Sequence, residues 1–145
     1  MKRKKKMNYK VVAKYIKDLR FEIPNPKTFF LLEKNISNYK VNIDIKSKQF
    51  KDKMIEIEMA LSLNPNTDDF DKINTKIVFS TIVEINDEIT NKKSLEEIIL
   101  INVPNNIYPE IRSLFVLLFE KSGFNKIKIE ETIDFEKLYQ KRTIQ

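Results

Sequence analysis

The sequence predicts an α+β domain, a four-stranded antiparallel sheet with helices packed on one face, and three observations carry that prediction. Four stretches of period-two hydrophobicity lie in the first 85 residues, and the helical periodicity falls mainly after them. The links between the four stretches are short and contain no long helix, so the sheet is expected to be antiparallel. Strands followed by helices, rather than alternating with them, place the helices together on one side. One domain fits the length of 145 residues, with 1–8 expected as a disordered basic arm and 9–145 as the folded unit.

The first strand runs from Val11 to Ile23. Val11, Ala13, Tyr15, Leu19, Phe21 and Ile23 are expected on its buried face, although Ile16 and Lys17 break the alternation. Pro24-Asn25-Pro26 ends it, because proline donates no ladder hydrogen bond. Phe29, Phe30, Leu31 and Leu32 follow, a cluster too short to assign as a helix. It either tucks into the core, which composition favours, or lines an exposed apolar surface. Tyr39, Val41, Ile43 and Ile45 mark the second strand, and Ile55, Ile57, Met59, Leu61 and Leu63 the third. Asn64-Pro65-Asn66 closes the third. The acids Asp68, Asp69 and Asp71 beyond it lack calcium-loop spacing and read as a solvated turn. The fourth strand, Ile77 to Ile85, is apolar on both faces in places, as a central strand is.

Asn86 to Lys93 reads as a loop, and Leu95 to Ile101 fits either a short helix or a strand. The main helix spans Val103 to Gly123, with Pro104 and Pro109 expected near its start and the only glycine at its end. Ile111, Leu114, Phe115, Leu118 and Phe119 form one stripe, and Val116 and Leu117 fall outside it, so this helix is expected to be covered on two sides. An extended connector with Ile127, Ile129 and Ile133 leads to Asp134, a good N-cap. The last helix is expected over Phe135 to Arg142, with Phe135, Leu138 and Tyr139 on one face.

The chemistry-bearing residues are few. With no histidine and no cysteine, the commonest general base, metal ligand and nucleophile are missing. One glycine precludes a glycine-rich phosphate loop. Glu96-Glu97 and Glu130-Glu131 read as solvated surface. No catalytic residue, metal site or cofactor is expected, and the chain is not expected to be an enzyme. No apolar run approaches the ~20 residues that cross a bilayer, and no secretory leader is legible; the lack of cysteine permits a reducing cytosol. The net charge is +6, and Lys2, Arg3, Lys4, Lys5 and Lys6 carry five of those charges, leaving the remainder near +1 (6 − 5). A short basic arm on a nearly neutral body either solubilises the chain or touches nucleic acid, ribosome or anionic lipid. Aromatics beside basic residues at Tyr9-Lys10 and Tyr15-Ile16-Lys17 lack the glycine-aromatic pattern of RNA-stacking sheets, which makes nucleic acid the lesser reading.

Three motifs resemble those of one family. Tyr15-Ile16-Lys17-Asp18-Leu19-Arg20-Phe21-Glu22-Ile23-Pro24-Asn25-Pro26 resembles the first strand of the SecB protein-export chaperones. Val103 to Arg112, VPNNIYPEIR, resembles their proline-rich helix start. Ser122-Gly123-Phe124, Ile127, Ile129, Ile133-Asp134-Phe135 and Leu138-Tyr139 resemble their C-terminal pattern. The resemblance implies a homotetramer, a dimer of dimers, without enzymatic activity. Such a protein holds unfolded precursor polypeptides in the cytoplasm, without nucleotide or metal, and delivers them to the SecA motor. It implies a client groove at Phe29, Phe30, Leu31, Leu32, Ile129, Ile133 and Phe135, which favours an exposed Phe29 cluster. It implies SecA contacts at Asp18 and Glu22, with the family's next acidic position falling at Ile82 and Glu84 nearby. It also implies a subunit seam at Ile111, Leu114, Phe115 and Leu118. The chain departs from the family in its added basic arm, its Asn86-Asp87-Glu88 turn and its lack of an acidic tail. Some SecB-like proteins instead guard an antitoxin, which is the alternative; a nucleic-acid- or ribosome-binding α+β module is the alternative from another class.

Overall fold

The computed structural model of the chain describes residues 8–36, 39–65, 73–87, 91–124, 127 and 129–144. The basic cluster at 2–6 and the acids at 68, 69 and 71 lie outside those residues. Four strands, β1 (Tyr9–Glu22), β2 (Tyr39–Lys51), β3 (Met54–Pro65) and β4 (Asn74–Ile85), form one antiparallel sheet in the order β1-β4-β3-β2. The helices are α1 (Pro26–Asn35), α2 (Lys92–Glu97), α3 (Val103–Lys121) and α4 (Phe135–Ile144). This is the predicted α+β architecture.

The strands β2, β3 and β4 follow one another as hairpin neighbours, and β1 returns to pair with β4. The β2–β3 turn is Asp52-Lys53, with Lys53 at φ 60, and the Lys53 carbonyl accepts the Ile85 amide at 2.8 Å. The expected single buried face of β1 does not exist. Two β-bulges, at Val12 and Lys17, shift the strand's phase twice. Val11 lies opposite Val83, Ile16 opposite Phe79 and Leu19 opposite Ile77, on the helix side, while Ala13 and Tyr15 lie opposite Ile82 and Ser80 on the open face. The same bulges explain why Ile16 and Lys17 broke the sequence pattern.

The sequence cluster at Phe29 is part of a ten-residue helix. Asn25 caps it by accepting the Thr28 amide at 2.8 Å, and Pro26 opens its first turn. Leu95 to Ile101 is helical too. α2 runs through a π-helical segment (Ile98–Asn102) into α3 without leaving right-handed helical backbone. Pro104 sits in the first turn of α3, as expected, but Pro109 lies inside the helix. Proline lacks the N–H that would bond four residues back, so Pro104 gives no such bond to the Leu100 carbonyl inside the π segment.

α3 ends as predicted at Gly123, whose φ is +94. The Phe124 amide donates to the Phe119 carbonyl at 2.9 Å and the Gly123 amide to the Glu120 carbonyl at 3.1 Å, the bond pair of a Schellman cap. Asp134 caps α4, accepting the Lys137 amide at 2.9 Å. On α4 the expected apolar face is broken, since Phe135 is buried but Leu138 is exposed.

The core forms two clusters along one side of the sheet. Tyr9, Ile55, Ile57, Val83 and Ile85 pack with Ile98, Val103 and Ile107. Met59, Leu61, Leu63 and Ile77 pack with Ile111, Phe115 and Phe119, which lie at i, i+4, i+8 on α3. Burial of each such side chain contributes about 1.5–3 kcal/mol. α3 is tied to β1 at its other end by the Lys14–Glu110 ion pair and by Asn106 donating to the Tyr9 hydroxyl.

Candidate functional site

Among the described residues no three acidic side chains gather to hold a metal, and the polar side chains that are buried are satisfied. The hollow between α2 and α4 is open and carries Lys92, Lys93, Glu96 and Glu136 on its walls, charges of both signs with Tyr139 hydrogen-bonded to Glu96. What the chain does offer is surface, in three places.

The first surface is an aromatic shelf. Phe21 on β1 meets Phe119 edge-on at 4.9 Å, and Phe119 meets Phe124 at 6.0 Å. Phe124 lies 4.8 Å from Phe29 on α1, and Phe29 lies 5.4 Å from Phe30. Burial falls along this chain of rings, from Phe119 at 0% to Phe30 at 63% exposed. Phe29, Leu31 and Ile133 are half-buried beside it, and Leu32, Ile129 and Phe135 are closed over at 0%, 6% and 2% exposure. Leu32, Ile129 and Phe135 thus lie in one buried cluster against which Phe29 and Ile133 pack, so the seven expected groove residues divide into an accessible rim and a covered floor. Neither sequence alternative for the Phe29 cluster holds alone: Leu32 is core and Phe30 is surface.

Two side chains of α3 pin the connector that borders this shelf. The Tyr108 hydroxyl donates to the Glu130 carbonyl, and Arg112 Nε donates to the Ile129 carbonyl at 3.1 Å. The Tyr108 ring packs edge-on against Phe135 at 6.0 Å. Burial raises the Tyr108 hydroxyl above its usual pKa, the nearby Arg112 cation works against that, and Glu130 adds to it. Sequence reading gave Tyr108 no role, although its position four residues before Arg112 puts both on one helix face.

The second surface is the sheet face that no helix among the described residues covers. Asp18, Glu22 and Glu84 all lie on it by strand register. They do not form one patch: Asp18 is opposite Val78 and Glu84 is six residues further along β4, about 20 Å away at a strand's rise. Asp18 is paired with Arg20 at 3.2 Å. The acids that sequence reading passed over are Glu56 and Glu58. Glu56 lies directly opposite Ile82 and accepts hydrogen bonds from Ser80 and Tyr15, each at 2.8 Å. Lys17 bridges Glu56, at 3.2 Å, and Glu58. The hydrogen bonds from Ser80 and Tyr15 hold the Glu56 carboxyl below its ordinary pKa, with Lys17 adding to them. The Glu56 and Glu58 positions were legible in the alternation of β3.

The third surface is a largely apolar edge that no other described strand pairs with. β1 is an edge strand, and Val11, Val12, Tyr15, Ile16 and Leu19 on it are 38–47% exposed. Of the four residues expected at a subunit seam, Ile111 and Phe115 are already covered by the chain's own sheet, while Leu114 and Leu118 are half-buried. The side of α3 turned away from the sheet carries Leu117, 46% exposed.

Comparison with known proteins places this architecture. The family model described as Preprotein translocase subunit SecB matches residues 2–145. The chain is 38% identical over 135 residues to the "Putative protein-export protein SecB" of Pelagibacter ubique (strain HTCC1062), covering 93% of this chain and 96% of that one. It is 24% identical over 145 residues to the protein-export protein SecB of Anaplasma phagocytophilum (strain HZ), covering 92% and 91%. Among solved structures, the Mycobacterium tuberculosis SecB-like chaperone Rv1957, in complex with a ChAD peptide from the HigA1 antitoxin, superposes with a TM-score of 0.61. That match has 10% sequence identity and covers 85% of this chain and 90% of that one, which speaks for the fold. With its sheet order, its α3 cap and a family match that runs from residue 2 to residue 145, the chain belongs to the SecB family of protein-export chaperones.

Proposed function

We propose that the protein is a cytoplasmic, ATP-independent holdase that keeps unfolded precursors competent for export and passes them to SecA. The observation that supports this is the aromatic shelf, whose outermost ring, Phe30, is 63% exposed at the end of a run of contacting aromatics. Unfolded segments present apolar side chains without a fixed sequence, and an adaptable apolar rim can hold many of them. Such binding needs no nucleotide chemistry. The chain works as a homotetramer, with the apolar β1 edge and the Leu117 side of α3 as the faces that a single chain leaves bare. The uncovered sheet face is the surface offered to SecA, through Asp18, Glu22 and Glu84, to which we add Glu56 and Glu58.

The test is suppression of aggregation of a chemically unfolded precursor, comparing the parent with Phe30→Ser. The parent should suppress it at near-stoichiometric ratios, and the variant, which keeps the fold because Phe30 is on the surface, should need several-fold more chaperone. A parent that neither binds unfolded polypeptide nor slows its aggregation sinks the holdase reading. Pull-down of SecA, lost in a Glu56→Lys, Glu58→Lys variant, tests the delivery step. A second reading, service to a single antitoxin, is favoured by the likeness of fold to the antitoxin-peptide complex. It predicts tight capture of one peptide and weak capture of unrelated unfolded proteins.

A further inference from the structure

The two walls of the aromatic shelf are held in different ways. The connector is fixed by hydrogen bonds from Tyr108 and Arg112. Among the described residues, by contrast, the side-chain hydrogen bonds of α1 stay within residues 25–35: Asn25 accepts from the Thr28 amide, and Asn35 donates to the Leu31 carbonyl. No ion pair among the described residues joins α1 to another element. Its grip on the body is apolar and comes from one helical face, Phe29, Leu32 and Ile36 at i, i+3, i+7. Phe29 sits on Phe124 and closes over the site where Gly123 has no side chain, 3.6 Å from where a Cβ would stand. Leu32, at 0% exposure, belongs to the same buried cluster as Phe124, Ile129 and Phe135.

We propose that α1 is a lid which occupies the client groove with its own Phe29 and Leu32 until an unfolded segment displaces it. The proposal rests on the holdase reading and adds to it a closed state. Non-directional contacts suit a lid of this kind, because an apolar segment of almost any sequence can replace them. Phe30, on the outer side of α1, gives the client its first contact, and the rings of Phe124, Phe119 and Phe21 become available once α1 lifts. Apparent affinity is then the intrinsic affinity multiplied by the fraction of open chains. Phe29, Leu32 and Ile36 share a face only while α1 is helical, so anything that weakens the helix loosens the lid.

Two substitutions weaken the helix from outside without touching the groove. Glu33→Gly acts at an exposed position of α1, and Asn25→Ala removes the cap. Each is worth about a fivefold change in helix formation, so each should tighten binding of a permanently unfolded probe, reduced and carboxymethylated α-lactalbumin, by up to about fivefold. Hydrogen exchange on the full-length protein gives an independent readout. Amides of α1 should exchange faster than those of α3 in the free protein, and should lose protection when the probe saturates it while the connector gains. If the parent binds the probe but both variants bind it equally or more weakly, or if α1 gains protection on binding, the lid is refuted and the holdase reading stands. If the parent does not bind the probe, the holdase reading itself fails.

Discussion

Removing one oxygen atom from Tyr108 separates the hydrogen bond to the connector from everything else that residue does. In Tyr108→Phe the ring keeps its place against Phe135, 6.0 Å away, and only the donor to the Glu130 carbonyl is lost. A neutral hydrogen bond contributes about 0.5–1.5 kcal/mol net, and leaving an acceptor buried without a partner costs about 1–3 kcal/mol. Glu130 is itself exposed, so its carbonyl can regain water and the lower range applies. The expected loss is therefore about 1 kcal/mol, or about 3 °C in Tm for a chain of this size. Urea unfolding at fixed protomer concentration, with m unchanged, is the assay. Arg112→Met, which frees the adjacent carbonyl of Ile129, completes a double-mutant cycle, and a coupling of about 0.5–1 kcal/mol is expected because both side chains hold one segment. Burial raises the folded pKa of Tyr108 above its unfolded value of 10.0. As pH rises past 10.0, the unfolded chain loses this proton first, so stability falls with pH until the folded pKa is passed, and Tyr108→Phe should flatten that limb. Unchanged stability in the single variant together with zero coupling would refute the idea that α3 pins the connector.

Three further outcomes follow from the geometry. Gly123→Ala should cost about 1–2 kcal/mol by urea unfolding, because the strain comes from its φ of +94 and the nearest ring atom, at 3.6 Å, leaves room for a methyl group. The Glu56 carboxyl is held below its unfolded pKa of 4.5, so its contribution is present above pH 4.5 and disappears as pH falls through the folded value; Ser80→Ala should shrink that acid-side loss, and identical acid limbs would contradict it. Leu117→Glu places a charge on the exposed side of α3 and should lower the mass seen by light scattering with the circular dichroism preserved; an unchanged mass would remove that face from the assembly.

Much of the fold was legible because local physics fixes it. β3 alternates cleanly, β4 reads as a central strand from its apolar residues on both faces, and the caps at Gly123 and Asp134 depend only on local geometry. β1 was misread because a bulge moves every later residue to the opposite face; the break at Ile16-Lys17 is visible in the sequence, but nothing local marks Val12 as an extra residue. α1 is not legible because its apolar run is four residues long and its start signal, Asn25-Pro26, sits in a Pro-Asn-Pro stretch that also reads as a turn. The candidate groove was gathered by family resemblance, but its division into rim and floor is tertiary: whether Leu32 or Phe30 faces inward depends on where α1 lands. The Glu56 network joins three strands, and no one-dimensional pattern announces it.

The strand order also sets a timetable. β2, β3 and β4 can zip together as neighbours, but β1, made first, must wait for β4: Glu22 pairs with Asn74, about 50 residues later, which at ~5–20 residues per second is a delay of several seconds during synthesis. Through that interval the earliest strand to leave the ribosome, rich in valine, isoleucine and leucine, has no partner in its own chain. A member of a chaperone family thus begins life as an exposed polypeptide itself, and the slow, long-range closure of β1 onto β4 is the step that ends that exposure.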